Sequence, residues 1–435
     1  MNDEMAYDFF IGIDWATEAH QVCTVDAQRK ILDERSVKHS GLGLAELVDF
    51  LRKLSEGRPE RVAVAIEVPR GAVVETLVEK KFHVYAINPK QLDRFRDRHT
   101  VAGAKDDRRD AFVLADSLRT DQPCFNRVAL DDALIVQLRE ITHVEEGLKK
   151  DGARLANQLR DLVLRYFPDL LKLCPAADEP WFWNLLELVP TPDKGRWIKV
   201  AQIAALLRRA RIRRLTAKEV RECLKAAPLP VAPGVVEAAS RHVALLLPRL
   251  RLVDQQLTHC ASQVNQLLEQ IKEQQSLEEN DLGNKREHRD LEILQSLPGV
   301  GRFVAATMLA EASQPLAARD YHALRVQAGV APVTVQTGKQ TQRRKKSTDR
   351  GRVRRPRVSM RYACNRRLRE ALYHWARISS QCDPISKAKY QEHRAQGHSH
   401  GRALRSIGDG LLSVLVAMLT KGTLYDPSRR RARAA

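Results

Sequence analysis

Two carboxylates set into apolar runs constrain this chain more than any other feature. Asp14 sits in the run FFIGIDW, and Glu67 ends a second run, VAVAIE. A charge buried in such a run is costly unless it is paired or binds a metal. Asp107 and Asp110 lie three apart in KDDRRDAFVLADSL. On a helix that spacing puts both carboxylates on one face, while Asp106 points elsewhere. Two strands and a helix converging on one point make a carboxylate cluster that can hold magnesium (Mg2+).

The remaining patterns say how those segments are arranged. Residues 8–37 carry three strand-like runs, FFIGIDW, HQVCTVD and KILDERSV, separated by short polar turns as in an antiparallel meander. GLGLAELVDFLRKL has apolar positions at helical spacing. RVAVAIEV reads as a strand followed by a helix starting near Pro69. KFHVYAIN is another strand, and KQLDRFRDRH and the Asp107 segment are helical. The order βββαβαβα is that of an α/β ribonuclease-H-like domain, here expected over residues 1–125. In that fold the metal carboxylates come from the first strand, the fourth strand and a late helix, as Asp14, Glu67 and the Asp107/Asp110 pair would.

Beyond it, long polar helical patterns cover about 132–167 and roughly 235–275. They read as coiled-coil or hairpin arms, packed on each other or on a second subunit. Pro248 is expected to kink or break the second. Between them, WFWNLLELVP and LLRRARIRRLTAKE suggest an inserted helical subdomain at about 176–232 within a helical region spanning 126–285. A mostly helical, basic C-terminal domain, 286–435, follows. Its LEILQSLPGVGRFVAATMLAEA resembles a helix-hairpin-helix, where Gly299 and Gly301 would let backbone N–H groups approach a phosphate.

Charge identifies the partner. The net charge is +19, yet from Tyr321 onward there are 26 Lys/Arg against 6 Asp/Glu, leaving 47 against 48 in the first 320 residues. A polyanion suits such a patch, because each neutralised phosphate releases condensed counterions. From Arg343 to Arg369 13 of 27 residues are Lys or Arg. The phosphate-facing candidates are Lys339, Arg343, Arg344, Lys345, Lys346, Arg354, Arg355, Arg361, Arg366 and Arg367. Tyr362 and Tyr373 could stack on bases; core packing suits Trp375 better. Thr337, in a TGK turn ahead of the basic run, is positioned to attack a phosphodiester if its proton is withdrawn.

Several classes are disfavoured. Seven scattered cysteines without a CxxC pair argue against a disulfide framework or zinc site and for a reducing cytoplasm. The run LLSVLVAML is too short to span a bilayer and reads as a buried helix, so no membrane partner is expected. The N-terminus MNDEMAYDFF lacks the layout of a signal peptide. Actin-like ATPases also open with a Gly-x-Asp strand, but Trp15-Ala16-Thr17 offers no phosphate-approaching glycine.

In order, GIDW, AIEVPRG, NPKQ, KDDRRDAFVLADSLR, LPGVG, QAGVAPVTVQTGK, RYACNRRLREALYHWA and GHSHGRALRSIGD resemble the insertion-sequence-110 family of transposases. The match runs from the first strand to Asp426, interrupted mainly by 176–232 and by extra basic residues near 343–357. The resemblance implies a RuvC-like domain, a coiled-coil arm and a C-terminal transposase domain. It further implies a homo-oligomeric recombinase, dimer or tetramer, acting on donor and target DNA and guided by a structured bridge RNA. In that family four acids act with a serine that becomes joined to the cut strand; the acids carry over onto Asp14, Glu67, Asp107 and Asp110. The family usually has Ser-Gly-Lys or Ser-Gly-Gly-Lys where this chain has Thr337-Gly338-Lys339. The β-methyl of threonine restricts its rotamer and crowds an in-line attack. Thr337 performs the attack, Ser347 has taken over, or the copy is impaired. Two other functions fit the same acids: a junction-resolving nuclease acting by hydrolysis, and a non-catalytic nucleic-acid-binding relative.

Overall fold

Strand β1 (Phe9–Asp14) pairs antiparallel with β2 (Ala19–Asp26), which pairs antiparallel with β3 (Ile31–Lys38). This is the expected meander. In this computed structural model residues 7–99, 106–129, 131–282, 290–335 and 357–431 are described. They fall into two units, Met1–Asp131 and Asp132–Ala435.

Helix α1 (Gly41–Leu54) follows the meander, capped by the Ser40 hydroxyl, which accepts from the Gly43 N–H at 3.1 Å. Then come β4 (Val62–Ile66), α2 (Ala72–Glu79), β5 (His83–Ala86), α3 (Pro89–His99), α4 (Asp107–Asp121) and a short β6 (Asn126–Arg127). The sheet order is β3-β2-β1-β4-β5-β6, with β1, β4 and β5 parallel and the rest antiparallel. Strand β6 was not anticipated. The mixed sheet is compatible with a ribonuclease-H-like domain.

Both faces of the sheet are covered. Ile11, Ile13, Val62, Val64 and Ile66 pack with Leu47 and Leu51 of α1 and Val74 and Leu77 of α2. Phe10, Cys23, Ala63 and Ala65 pack with Ala111, Leu114, Ala115 and Leu118 of α4. This explains why VAVAI is apolar throughout: a strand covered on both sides has no solvent face.

The second unit is built on α5 (Ala133–Tyr166) and α10 (Val235–Leu282). Leu138 clusters with Val264 and Leu268, Gly152 approaches Val253, and Gln158 lies 3.4 Å from His242, so the two helices run antiparallel. Buried positions recur by threes and fours, as in Leu138, Thr142, Glu145 and in Ala239, Val243, Leu246, Leu250. Helices α6 (Pro180–Leu188), α7 (Pro192–Trp197), α8 (Val200–Arg209) and α9 (Ala217–Leu224) fold around Trp181, Phe182 and Trp183 onto one end of this pair. The other end carries α11 (Asp290–Ser296), α12 (Arg302–Ala317), α13 (Tyr321–Gln327), a two-stranded ribbon β7 (Val333–Val335) and β8 (Arg357–Ser359), α14 (Arg366–Cys382), α15 (Pro384–Ala395), α16 (His400–Lys421) and α17 (Pro427–Arg431).

Two expectations need correcting. Helix α10 runs through Pro248 unbroken. Pro248 and Ala244, whose carbonyl loses its N–H partner, are both exposed, so water can satisfy the freed oxygen. The break falls instead in α12, at Ala312 (φ −128°, ψ 25°), three residues before the buried Pro315. The run LLSVLVAML belongs to the 22-residue α16, which by length and composition could cross a membrane. Its Ala403, Leu404, Ile407, Leu411, Leu412 and Leu415 are instead buried in the second unit's core, as a core helix requires.

Candidate nucleic-acid cleavage site

Alternation along β1 and β4 decides where the strand acids point. Ile11 and Ile13 face α1 and α2, so Phe10, Gly12 and Asp14 take the opposite face, toward α4. On β4, Ala63 and Ala65 face α4, and the same alternation carries Glu67 there. The parallel register ends at Ile13↔Ile66, so Asp14 and Glu67 occupy the next step on strands roughly 4.8 Å apart. Both are partly buried.

Contact at Gly12 positions α4 over these acids. A Cβ built at Gly12 would lie 1.8 Å from the Ala111 carbonyl oxygen and 2.6 Å from the Ala115 nitrogen. Only glycine lets the helix settle this closely on the strand. The far end of α4 fixes its direction. Asp116 pairs with Arg29 at 3.2 Å, and Arg119 donates to the Ala27 carbonyl at 3.4 Å. Ala27 and Arg29 belong to the β2–β3 turn, beside the Phe9↔Asp26 end of β1. The first turn of α4, with Asp107 and Asp110, therefore lies toward Asp14 and Glu67.

The helical acids differ in environment. Asp106 is the N-cap, its carboxylate accepting from the Arg108 N–H at 3.3 Å. Asp107 is exposed and lies one turn before Ala111, on the same stripe. Asp110 is buried and accepts from Arg96 of α3 through both oxygens, at 2.7 and 2.9 Å. Burial works against the charge of Arg96, but its bonds to Asp110 and Asp93 prevail and hold its pKa above the ordinary arginine value. Among the described residues, no three of the four acids bring ligand oxygens within 4.8 Å of one another, whereas Cys174, Asp178 and Glu179 meet that spacing. In that trio Glu179 is already taken by Trp181 and Arg214. The carboxylates at the sheet end remain a donor set suited to a hard divalent cation, with Asp110 engaged by Arg96.

A histidine pair missed by the sequence reading holds the loop after Asp14. The Ala16 N–H points at His20 Nδ1, 3.3 Å away, so the other nitrogen, Nε2, carries the proton and donates to His39 Nδ1 at 2.9 Å. Burial, followed by the neighbouring His39, lowers the pKa of His20.

Comparison with known proteins places this geometry. A transposase family model matches residues 11–168, and a model for the transposase IS116/IS110/IS902 family matches residues 291–391. The y4uE protein of Sinorhizobium fredii, named as a candidate transposase, is 44% identical over 254 residues, covering 58% of this chain and 67% of its own. The chain belongs to the IS110 family of transposases. The candidate mini-circle transposase for IS117 of Streptomyces coelicolor is 29% identical over 428 residues, covering 97% of this chain and 96% of its own. An insertion element IS900 protein of Mycobacterium paratuberculosis is 28% identical over 446 residues, covering 99% and 100%. Membership carries DNA as substrate and a divalent-metal requirement in general.

The C-terminal candidates of this IS110-family transposase separate on inspection. Thr337, Lys339, Arg343, Arg344, Lys345, Lys346, Ser347, Arg354 and Arg355 lie outside the described residues. The helix–turn–helix at LPGVG is present, but its glycines have different tasks. Gly299 (φ 81°) abuts α14, where a Cβ would lie 2.8 Å from the Ser379 nitrogen. The adjacent Pro298 carbonyl accepts from Trp375 Nε1 at 3.0 Å and from Ser379 Oγ at 2.6 Å. Gly299 thus packs closely on α14, and Trp375 is fully buried, as expected. Gly301, the N-cap of α12, faces open space.

Arg366 is exposed, whereas Arg367 is directed inward, 3.1 Å from Glu311 and 3.3 Å from Glu146. Arg361 is partly buried, and its carbonyl accepts from Arg369 at 2.5 Å. Arg366 is thus the most exposed of these three arginines, whereas Arg367 is held by two carboxylates. Tyr362 is 77% exposed, leaving its ring open to stacking. His400 bonds Tyr390 at 2.8 Å, and His393 stacks on His398 at 5.2 Å.

Proposed function

We propose that this transposase cuts and rejoins DNA through a split site, with Asp14, Glu67, Asp107 and Asp110 as one part and the Thr337 hydroxyl as the other. The observation that supports the metal half is the β1–β4 register, which sets Asp14 beside Glu67 at the end of the sheet reached by the first turn of α4. Asp14, Glu67 and Asp107 would hold a divalent ion, magnesium in this reading, and Asp110 would join them on release from Arg96. Such an ion supplies positive charge against the negative charge that develops on the phosphate.

The Thr337 Oγ attacks phosphorus, its proton passing to solvent or to an ionised carboxylate. As the Oγ–P bond forms, one P–O bond to deoxyribose breaks, and the departing oxygen takes up a proton. Phosphodiester energy is kept in the protein–DNA link, so strand joining needs no ATP. The two halves come from different chains of a homo-oligomer, a dimer or tetramer acting in the bacterial cytoplasm, held by coiled-coil arms built on α5 and α10. A structured RNA lying on the basic surfaces selects donor and target by base pairing, while the protein grips backbone.

The test is a denaturing gel of a reaction on labelled donor DNA. Wild-type protein is expected to leave covalent adducts that disappear in Thr337→Ala and in Asp14→Asn. Adducts that persist in Thr337→Ala overturn the assigned nucleophile and turn attention to Ser347. Cleavage without any adduct supports the hydrolytic nuclease instead. Sequencing RNA that co-purifies with the protein tests guidance, and the lack of a discrete species rejects it.

A further inference from the structure

A cavity of about 330 Å3 opens beside the ribbon, between α13 and α16, lined among others by Arg325, Gly329, Ser359, Arg402, Arg405 and Asp409. On α16, Arg402, Arg405, Ser406 and Asp409 follow the i, i+3, i+4, i+7 rule and form one stripe. Among the described residues, the one acid in the lining is already engaged. Asp409 takes both of its oxygens to Arg325, at 2.9 and 2.6 Å, and also accepts from the Tyr321 hydroxyl at 2.9 Å. Among the described lining residues, Arg402 and Arg405 have no comparable acid. A third arginine stands behind it: Arg369 lies under Gly329, so close that a Cβ there would be 2.9 Å from its guanidinium. Arg369 donates to the carbonyls of Arg361 and Tyr362, which hold the side chain without neutralising it, and its Nε is buried without a partner among the described residues.

Positive side chains gathered this way repel one another. Arg405 registers the strain: burial first, then Arg369 and Arg402, hold its pKa below the ordinary arginine value. An arginine stays protonated regardless, so an anion is what relieves the arrangement. Guanidinium forks and a serine hydroxyl match the oxygens of a phosphate diester.

We propose that this cavity binds a backbone phosphate of the DNA strand, with Arg402 and Arg405 as the gripping side chains and Arg369 as a buried charge behind them. Strand β7, whose last residue precedes Thr337 by two positions, forms one side of the same ribbon. That connection favours DNA over RNA as the occupant. The inference rests on the recombinase reading for the identity of the polyanion and on the cavity alone for its place.

The experiment uses full-length protein and fluorescence anisotropy with a labelled duplex DNA and, separately, a labelled stem-loop RNA, from 50 to 200 mM salt. Arg402→Gln and Arg405→Gln are each expected to weaken DNA binding about ten-fold at the low-salt end and to reduce the log–log salt slope by about 0.9, the loss of one phosphate contact. Arg405→Lys should restore much of the slope. Because Arg402 is exposed, its variant reports on the site even if Arg405→Gln lowers the melting temperature. Unchanged DNA affinity and slope in Arg402→Gln and Arg405→Gln overturn the proposal, as does a loss confined to RNA. Wild-type strand cleavage is scored in parallel. Its absence, with the binding results as expected, rejects the recombinase reading and leaves the phosphate site standing; the converse pattern rejects only the site.

Discussion

Arg96 lays its guanidinium across both oxygens of Asp110, at 2.7 and 2.9 Å, and so neutralises an acid that is otherwise buried. The pairing gives α3 a part in the site, because whatever draws Asp110 toward its neighbours must first loosen Arg96. Arg96→Gln is expected to destabilise the first unit by about 3 kcal/mol, the cost of leaving a buried charge without its partner. Added magnesium should recover more of the melting temperature in this variant than in the wild type. Equal magnesium shifts in the two proteins would separate Asp110 from any metal.

Gly12→Ala tests the closest approach in the same unit. The new methyl would meet the backbone of α4, which has no flexible end to move aside. A loss of about 3 kcal/mol or more is expected in urea titrations, at the upper end for overpacking. Strand cleavage should fall with it, since displacing α4 moves Asp107 away from Asp14. A variant with wild-type stability would show that the strand and helix are not in contact here.

The His20–His39 pair predicts a pH dependence with a definite sign. A folded-state pKa lowered by burial means that the unfolded chain protonates His20 first as pH falls. Stability present above the unfolded value of about 6.5 is therefore lost on acidification through the folded pKa. His83 and His398 are lowered in the same direction and add to the slope. Melting temperature should drop between pH 7.5 and 5.5, and His20→Asn should flatten part of that fall. An unaltered slope in the variant would remove His20 from the account.

Glu311 gathers His143 at 2.8 Å, Asn365 at 2.5 Å and Arg367 at 3.1 Å just before the break in α12. Glu311→Ala is expected to cost about 3 kcal/mol by leaving Arg367 with Glu146 alone and stripping His143 and Asn365 of their acceptor, and Glu311→Gln distinctly less. Thermal melts of both variants decide it. Equal losses would mean that shape rather than charge matters at this position.

Pro248→Ala should stabilise α10, by up to about 3 kcal/mol on the helix-propensity scale. Its exposed position leaves little packing to lose. A lower melting temperature would show that the proline ring is used in a contact.

Local pattern makes α1 readable to its ends and puts Asp14 and Glu67 at the ends of two strands, whose adjacency the sheet order then supplies. It failed where the deciding partner is distant in sequence. Arg96 is one of many charged residues in KQLDRFRDRH, and nothing local ranks it above Arg94 or Arg98. Arg367 looks like its basic neighbours until α5 and α12 bring Glu146 and Glu311 to it. Strand β6, only Asn126 and Arg127, carries no apolar alternation to reveal it. At Gly299 a Pro-Gly-Val-Gly turn ahead of a helix suits phosphate binding or close packing alike, and the close approach of Ser379 is visible only in three dimensions. For Arg402 and Arg405 a signal existed, two arginines three apart in GRALR, but their cavity forms only once α13 and the ribbon close over α16.

The seam between α5 and α10 also makes orientation a matter of counting. With 34 residues, α5 spans roughly 51 Å, and each residue added turns what lies beyond it by about 100°. Buried positions at intervals of three and four tie that rotation to length, so only insertions or deletions near seven residues, matched on both helices, keep the α6–α9 bundle facing the same way. Length variation among natural copies should therefore come in sevens along this pair, and a relative that breaks the count would carry its bundle on another side of the arm.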